Sequence, residues 1–278
     1  PEYLSATKPK QELFMYGMLA TLVIIGYLIE GIRILGTGMP EGEKTWAPIG
    51  WCLASLFQTF NMGDGTLATT YRVLWFLHMA NTMAFVASIG HSKFSHIFML
   101  PFQALITPPR RGAVLEPMDF EDETAETFGL GKLSELTAKN RIDLLTCVEC
   151  GRCTEQCPAS QTGKLLSPRK IMMDTRDRLE EVGKNIDKHG KDHIDGKSLL
   201  GDYIKEEELW ACTTCNACVE ACPVTINPLS IIMEMRRSLV MEESKIPTEL
   251  AGMITNIENN GAPWQFAQND RANWVNEG

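Results

Sequence analysis

The chain has 278 residues, enough for one or two domains, and carries a formal charge of −9. That acidity gives no basic face and argues against a nucleic-acid partner. It is unevenly placed: residues 1–106 are apolar and balance six basic against six acidic side chains, whereas 107–278 hold 20 basic and 29 acidic ones and account for the whole excess. The sequence opens at Pro1 with no initiator Met and no signal peptide, and is expected to be part of a longer or processed polypeptide with segments upstream.

After a polar start with Lys8 and Lys10, Leu13 to Ile29 runs 17 residues without a charge, and its flanks extend the apolar helix to a span near 11–35. It has no polar face, which favours a membrane span over a buried helix of a soluble protein. Residues 36–46 read as a loop. The apolar segment 47–60 is too short to cross a bilayer and is expected as a re-entrant, interfacial or packed helix. Its Cys52 is expected to be an ordinary buried thiol. A second long helix is predicted over 70–97, with a break signalled by Pro101 and the membrane part closing at TPPRRG, 107–112. If Lys8, Lys10, Arg110 and Arg111 lie on the cytoplasmic side, two spans put both ends inside. Residues 1–112 thus form a membrane domain. An acidic connector follows over 113–139, then a cysteine-bearing domain over 140–245 and a C-terminal helix and tail over 246–278. Helices are expected at 134–145, 168–185, 203–209, 228–243 and 247–259. No period-2 pattern predicts a strand, so the fold class is all-α, with transmembrane helices ahead of a helical cysteine-bearing domain.

Eight of the nine cysteines fall in two copies of C-x2-C-x2-C-x3-C-P: Cys147, Cys150, Cys153, Cys157 with Pro158, and Cys212, Cys215, Cys218, Cys222 with Pro223. One C-x-x-C is weak evidence, because zinc sites and redox dithiols share it. Two repeats of four cysteines and a proline have the spacing of bacterial ferredoxins with two [4Fe–4S] clusters, and structural zinc fits it poorly. The x2 spacings wrap three sulfurs around one cube and send the fourth to the other cube. Cys147, Cys150, Cys153 and Cys222 are therefore expected to hold one cluster, and Cys212, Cys215, Cys218 and Cys157 the other, which makes the all-α chain transmembrane helices followed by a helical dicluster ferredoxin domain. Cluster ligands must be reduced thiolates, which requires a reducing compartment. No nucleophile elbow or phosphate loop is present, so no catalytic residue is assigned; such clusters pass electrons one at a time.

In the helix predicted over 70–97, His78 and His96 stand 18 residues apart, five full turns, which puts both on one face roughly 27 Å apart; His91 points elsewhere. Two histidines so placed are candidate ligands for haem b, each needing an opposing histidine, and none precedes His78. The alternative is that they only hydrogen-bond near the membrane surfaces.

The helix with His78 and His96 resembles the haem-binding helix of the respiratory nitrate reductase gamma subunit, whose opposing histidines lie on an earlier helix absent here. From about Asp143 onward the chain resembles the heterodisulfide-reductase-like iron–sulfur family. The likeness rests on both cysteine motifs, ELWACTTCNACVEACPV (208–224) and NIENNGAPWQ (256–265). Together these resemble membrane-bound oxidoreductases of the electron-transfer flavoprotein:menaquinone type, and the membrane-anchored heterodisulfide reductases. Such proteins usually continue into cysteine-rich CCG repeats, which are not in this sequence.

The resemblance implies an electron-transfer subunit in the bacterial cytoplasmic (inner) membrane, with its clusters on the cytoplasmic side. It would link a soluble redox partner, electron-transfer flavoprotein or a CCG-domain iron–sulfur subunit, to haem b or menaquinone. It would also be in contact with membrane lipid and with further membrane helices upstream or on another chain. The rivals are a subunit of a dithiol/disulfide oxidoreductase with catalysis on a CCG partner, a non-redox structural anchor, and an iron–sulfur subunit of the anaerobic glycerol-3-phosphate dehydrogenase type. The spans and the histidine pair argue against the last.

Overall fold

A computed structural model describes residues 9–90, 92–107, 117–121, 127–191 and 193–275. Among them there are helices and no strand, only an isolated bridge between Leu200 and Ile204. The basic flanks at Lys8 and 110–111, His91 and the parts of the acidic connector at 113–116 and 122–126 lie outside the described residues. The chain divides into two units, one running to Ser95 and the other starting at His96.

The first unit comprises α1 (Pro9–Gly36), α2 (Glu43–Trp46), α3 (Pro48–Gln58) and α4 (Asp64–Ile89). α1 packs against both α3 and α4. Small residues bring α1 and α3 together: a Cβ on Gly31 would stand 2.8 Å from the Leu53 Cβ, and one on Gly50 2.7 Å from the Glu30 carboxylate. Between α1 and α4 the contact is polar, with Asn81 Nδ2 donating to Thr21 Oγ1 at 2.9 Å. Arg33 and Glu43 close the α1–α2 turn with a two-pronged pair at 3.0 and 2.6 Å. α1 and α4 are each long and apolar enough to cross a membrane. They turn Val23, Phe76 and Met83 outward instead of into a core.

Two expectations need correction here. Cys52 is exposed on α3 and is not a buried thiol. The helix predicted over 70–97 is not continuous: it begins at Asp64 and stops at Ile89. Beyond Gly90 the chain makes a turn in which Ser92 Oγ accepts from Phe94 N at 3.3 Å, then a short 3-10 segment over Lys93–Ser95. Glycine and serine offer the backbone alternatives to the helical ladder, and they end it here.

A new helix, α5 (His96–Ile106), belongs to the second unit and packs on α6 (Ala138–Thr146). It runs through Pro101, where a break was expected. The division of the chain therefore falls ahead of α5 and not near residue 112. The unit continues with α7 (Arg152–Glu155), α8 (Pro158–Gln161), α9 (Pro168–His189), α10 (Glu206–Trp210), α11 (Ala217–Glu220), α12 (Pro228–Met241) and α13 (Thr248–Asn260). Its core is built from Leu144, Ile171, Met172, Leu209, Ile226, Ile231, Ile232, Met235 and Leu239. The last residues of the connector dock on α12. Leu130 N donates to Glu234 O at 2.8 Å, and Gly129, with φ +87°, sits where a Cβ would meet the α12 backbone.

Candidate metal centre

The cysteine motifs occupy two equivalent turns of the fold. The first follows α6, wraps through α7 and α8, and leads to α9; the second follows α10, wraps through α11, and leads to α12. Both exit helices start the same way. Ser167 accepts from Lys170 N at 3.2 Å ahead of Pro168, and Asn227 Oδ1 accepts from Ser230 N at 3.1 Å ahead of Pro228.

The backbone repeats as well. Glu149 and Thr214, each just ahead of the second cysteine of its motif, have φ of +56° and +57°. Gly151 and Asn216, each just after it, have φ of +84° and +63°. Two left-handed residues thus flank the second cysteine of each loop and curl the backbone around it. In each loop the first thiol accepts a backbone N–H, Cys147 from Glu149 and Cys212 from Thr214, the latter at 3.4 Å. Ile226 N similarly donates to Cys222 Sγ at 3.4 Å.

Cys147, Cys150, Cys153 and Cys222 line one small cavity, with Val148, Met172 and Ile226 among its apolar walls. Three of these cysteines come from the first motif and one from the end of the second. The reciprocal relation holds on the other side, where Cys157 lies in electrostatic range of Cys212 and Cys218. Cys153 also lies in range of Cys218, so the two sets are neighbours.

Burial first, and then the neighbouring cysteines, push the thiols of Cys153 and Cys218 up to about 12. Cys147 and Cys212 are raised too, chiefly by burial. Thiols raised in this way take up metal only as they lose their protons, so loading must expel protons and supply positive charge that replaces them. Among the described residues no three His, Cys, Asp or Glu side chains converge as they would on a single ion. A cube, whose ligands bind different corners, needs them spread around a space. All-thiolate donors in dry walls fit an iron–sulfur cluster.

His78 lies on α4 against α1: a Cβ on Gly26 would be 3.7 Å from its Cε1. Its buried Nδ1 has no hydrogen-bond partner among the described residues. His96 starts α5, beyond the break, so the shared helical face expected for His78 and His96 is not realised.

Several features had no reading in the sequence. Gln103, fully buried on α5, donates Nε2 to Thr225 O and Thr225 Oγ1, both at 3.0 Å, and to Asp143 Oδ1 at 3.4 Å. Asp143 is gripped by Lys139 Nζ at 2.6 Å to each oxygen, and burial still pushes its carboxyl up. Arg176 reaches Glu149 in the first loop at 2.6 Å. Only a burial pattern with polar residues inward would have exposed Gln103, and α5 is too apolar for its sequence to show one.

Residues 143–226 match the family model for a 4Fe-4S dicluster domain. The probable iron-sulfur-binding oxidoreductase FadF of Bacillus subtilis is 33% identical over 92% of this chain and 41% of its own length. The EtfAB:quinone oxidoreductase of Syntrophomonas wolfei is 33% identical over all of this chain and 42% of its own length. The chain is a relative of the heterodisulfide-reductase-like iron–sulfur oxidoreductases. A probable membrane-anchored ferredoxin of Chromohalobacter salexigens is 32% identical over 59% of this chain and 26% of its own. The chain spans about two fifths of the length of the first two of these relatives. No solved structure matches it.

Proposed function

We propose that this chain is a membrane-anchored electron relay. One [4Fe–4S] cluster is held by Cys147, Cys150, Cys153 and Cys222, and a second by Cys212, Cys215, Cys218 and Cys157. The observation that carries this reading is the cavity in which Cys222 joins the three leading cysteines of the other motif. When bound, each cluster supplies a one-electron carrier. The chain's own part is to hold two carriers side by side, with Cys153 and Cys218 between them, and to wall the first cavity with apolar side chains such as Met172 and Ile226.

The donor is a soluble redox protein, electron-transfer flavoprotein by analogy with the quinone oxidoreductase relative, and the acceptor is menaquinone in the bacterial cytoplasmic membrane. α1 and α4 are the proposed spans. Their outward apolar side chains suit lipid better than water, and the resemblance to a membrane-anchored ferredoxin supports the anchor. His78 and His96 remain proposed haem b ligands, now as independent sites. The unpartnered Nδ1 of His78 is the observation that favours it over His96.

The deciding experiment is an EPR and optical spectrum of the protein purified with its membrane, together with iron and sulfide counts and anaerobic addition of a reduced flavoprotein or a menaquinol analogue. Two clusters reduced by either donor support the relay. Clusters that neither donor reduces leave only a structural role. Recovery of a CCG-domain protein in place of a flavoprotein in the native complex favours the dithiol/disulfide reading.

A further inference from the structure

The duplicated motif carries a duplicated arginine. Arg176 is the ninth residue of α9 and Arg236 the ninth of α12. Each guanidinium is in electrostatic range of the first cysteine of its own motif, Cys147 or Cys212. Their surroundings differ. Arg176 is neutralised, with Glu149 at 2.6 Å, Asp177 at 3.4 Å and Glu180 at 4.0 Å. Arg236 makes no ion pair among the described residues. Its Nε and Nη2 donate to Leu209 O at 3.0 and 2.6 Å, and Nη2 to Cys212 O at 2.5 Å. Its guanidinium also lies 5.1 Å from the Trp210 ring centre. The difference traces to one position of the repeat. Where the first loop has Glu149, the second has Thr214, on the same left-handed backbone.

We propose that Arg236 is a positioning residue for electron transfer whose unpaired charge favours the reduced state of the cluster held by Cys212, Cys215 and Cys218. At the equivalent place Arg176 is cancelled by Glu149. The inference rests on the two-cluster reading above. Reduction adds one negative charge to a cluster, and a half-buried cation beside it is weakly screened by solvent and salt. Arg169 also lines the first cavity, and its counterpart in α12 is Leu229. The ordering of the two potentials therefore does not follow from Arg236 alone. What Arg236 sets is the response of its own cluster.

The test is an EPR-monitored redox titration of the purified, cluster-loaded protein, with the second-motif signal identified by the change that Cys215→Ser causes in it. Arg236→Met is expected to lower the midpoint of that cluster by the equivalent of about a tenfold change in its reduction equilibrium, ~59 mV for one electron, and to move the other cluster much less. Arg236→Lys is expected to keep most of the parental value. Thr214→Glu, which installs the carboxylate of the first loop and leaves Arg236 itself in place, is expected to lower the same midpoint; it carries the test if Arg236→Met loses iron. Unchanged midpoints, equal shifts of both clusters, or a fall in Arg236→Lys as deep as in Arg236→Met would overturn the proposal. Parental protein with iron for fewer than two clusters would instead overturn the two-cluster reading.

Discussion

At the scale of single residues the cysteines do not act as two local sets. Cys222 stands at the end of the second motif, yet it faces Cys147 and Cys153, because the chain leaves α11 directly toward the first loop. Cys222→Ser is therefore expected to damage the cluster held mainly by the first motif, leaving the second-motif EPR signal in place. Loss confined to the second-motif signal refutes the crossed arrangement. The same logic applies to haem. If His78 and His96 each hold one, then His78→Ala and His96→Ala each lower the pyridine haemochrome of the membrane-bound protein. An unchanged spectrum in both removes the histidines from the relay and leaves the clusters to meet quinone directly.

Among the helical elements, the segment between the motifs is held to α9 in part by a clamp. Arg178 on α9 donates to the two Asp195 oxygens at 2.5 and 2.7 Å and to Lys197 O at 2.7 Å, and Asn185 Nδ2 adds 2.9 Å to Asp195. Arg178 holds the Asp195 carboxyl well below the usual carboxylate range. A depressed folded-state value means that the stabilisation is complete above the unfolded value, near 4, and is lost as pH falls through the folded one. Asp195→Asn should thus reduce hydrogen-exchange protection across 190–203 at pH 7, and its difference from the parent should narrow below about pH 4. A difference independent of pH would assign the clamp's effect to packing.

This clamp also shows what sequence could and could not give. Helix α9 was legible from its Ser-Pro start and its periodic apolar residues, and α12 likewise from Asn-Pro. The cysteine spacing carried the site, because ligand spacing in a short loop is nearly a geometry in itself. The end of α4 was missed because hydropathy stays high past Gly90 while the backbone turns there. Cys52 was misread because an apolar helix with few buried positions looks, in sequence, like one with many. Pairings such as Arg178–Asp195 or Gln103–Thr225 join residues whose types are common and whose separation in the chain is arbitrary, so no local pattern announces them.

For the whole molecule, α5 is the part that bears on the proposed electron exit to quinone. Its polarity is inverted: Gln103 is fully buried while Phe102 and Leu105 are 59% and 83% exposed. A helix facing water would hide the phenylalanine and leucine and show the glutamine. Eleven residues rise only about 16 Å, too little to cross a bilayer, so α5 suits lipid as an embedded or interfacial helix of the cluster-bearing unit. Through Gln103 it is bonded to Thr225, three residues after Cys222. If the clusters reduce quinone, as proposed, the one containing Cys222 would be the one to face it. Gln103→Leu leaves Thr225 and Asp143 without this partner, a loss of about 1–3 kcal/mol that loosens α5 from the Cys222 loop. The variant is expected to retain its iron and to reduce a soluble dye at the parental rate, while reoxidation of its clusters by a menaquinone analogue in membranes slows several-fold. Equal slowing toward dye and quinone would mean that Gln103 only supports the fold, and the exit would then have to lie at the second-motif cluster or at His78.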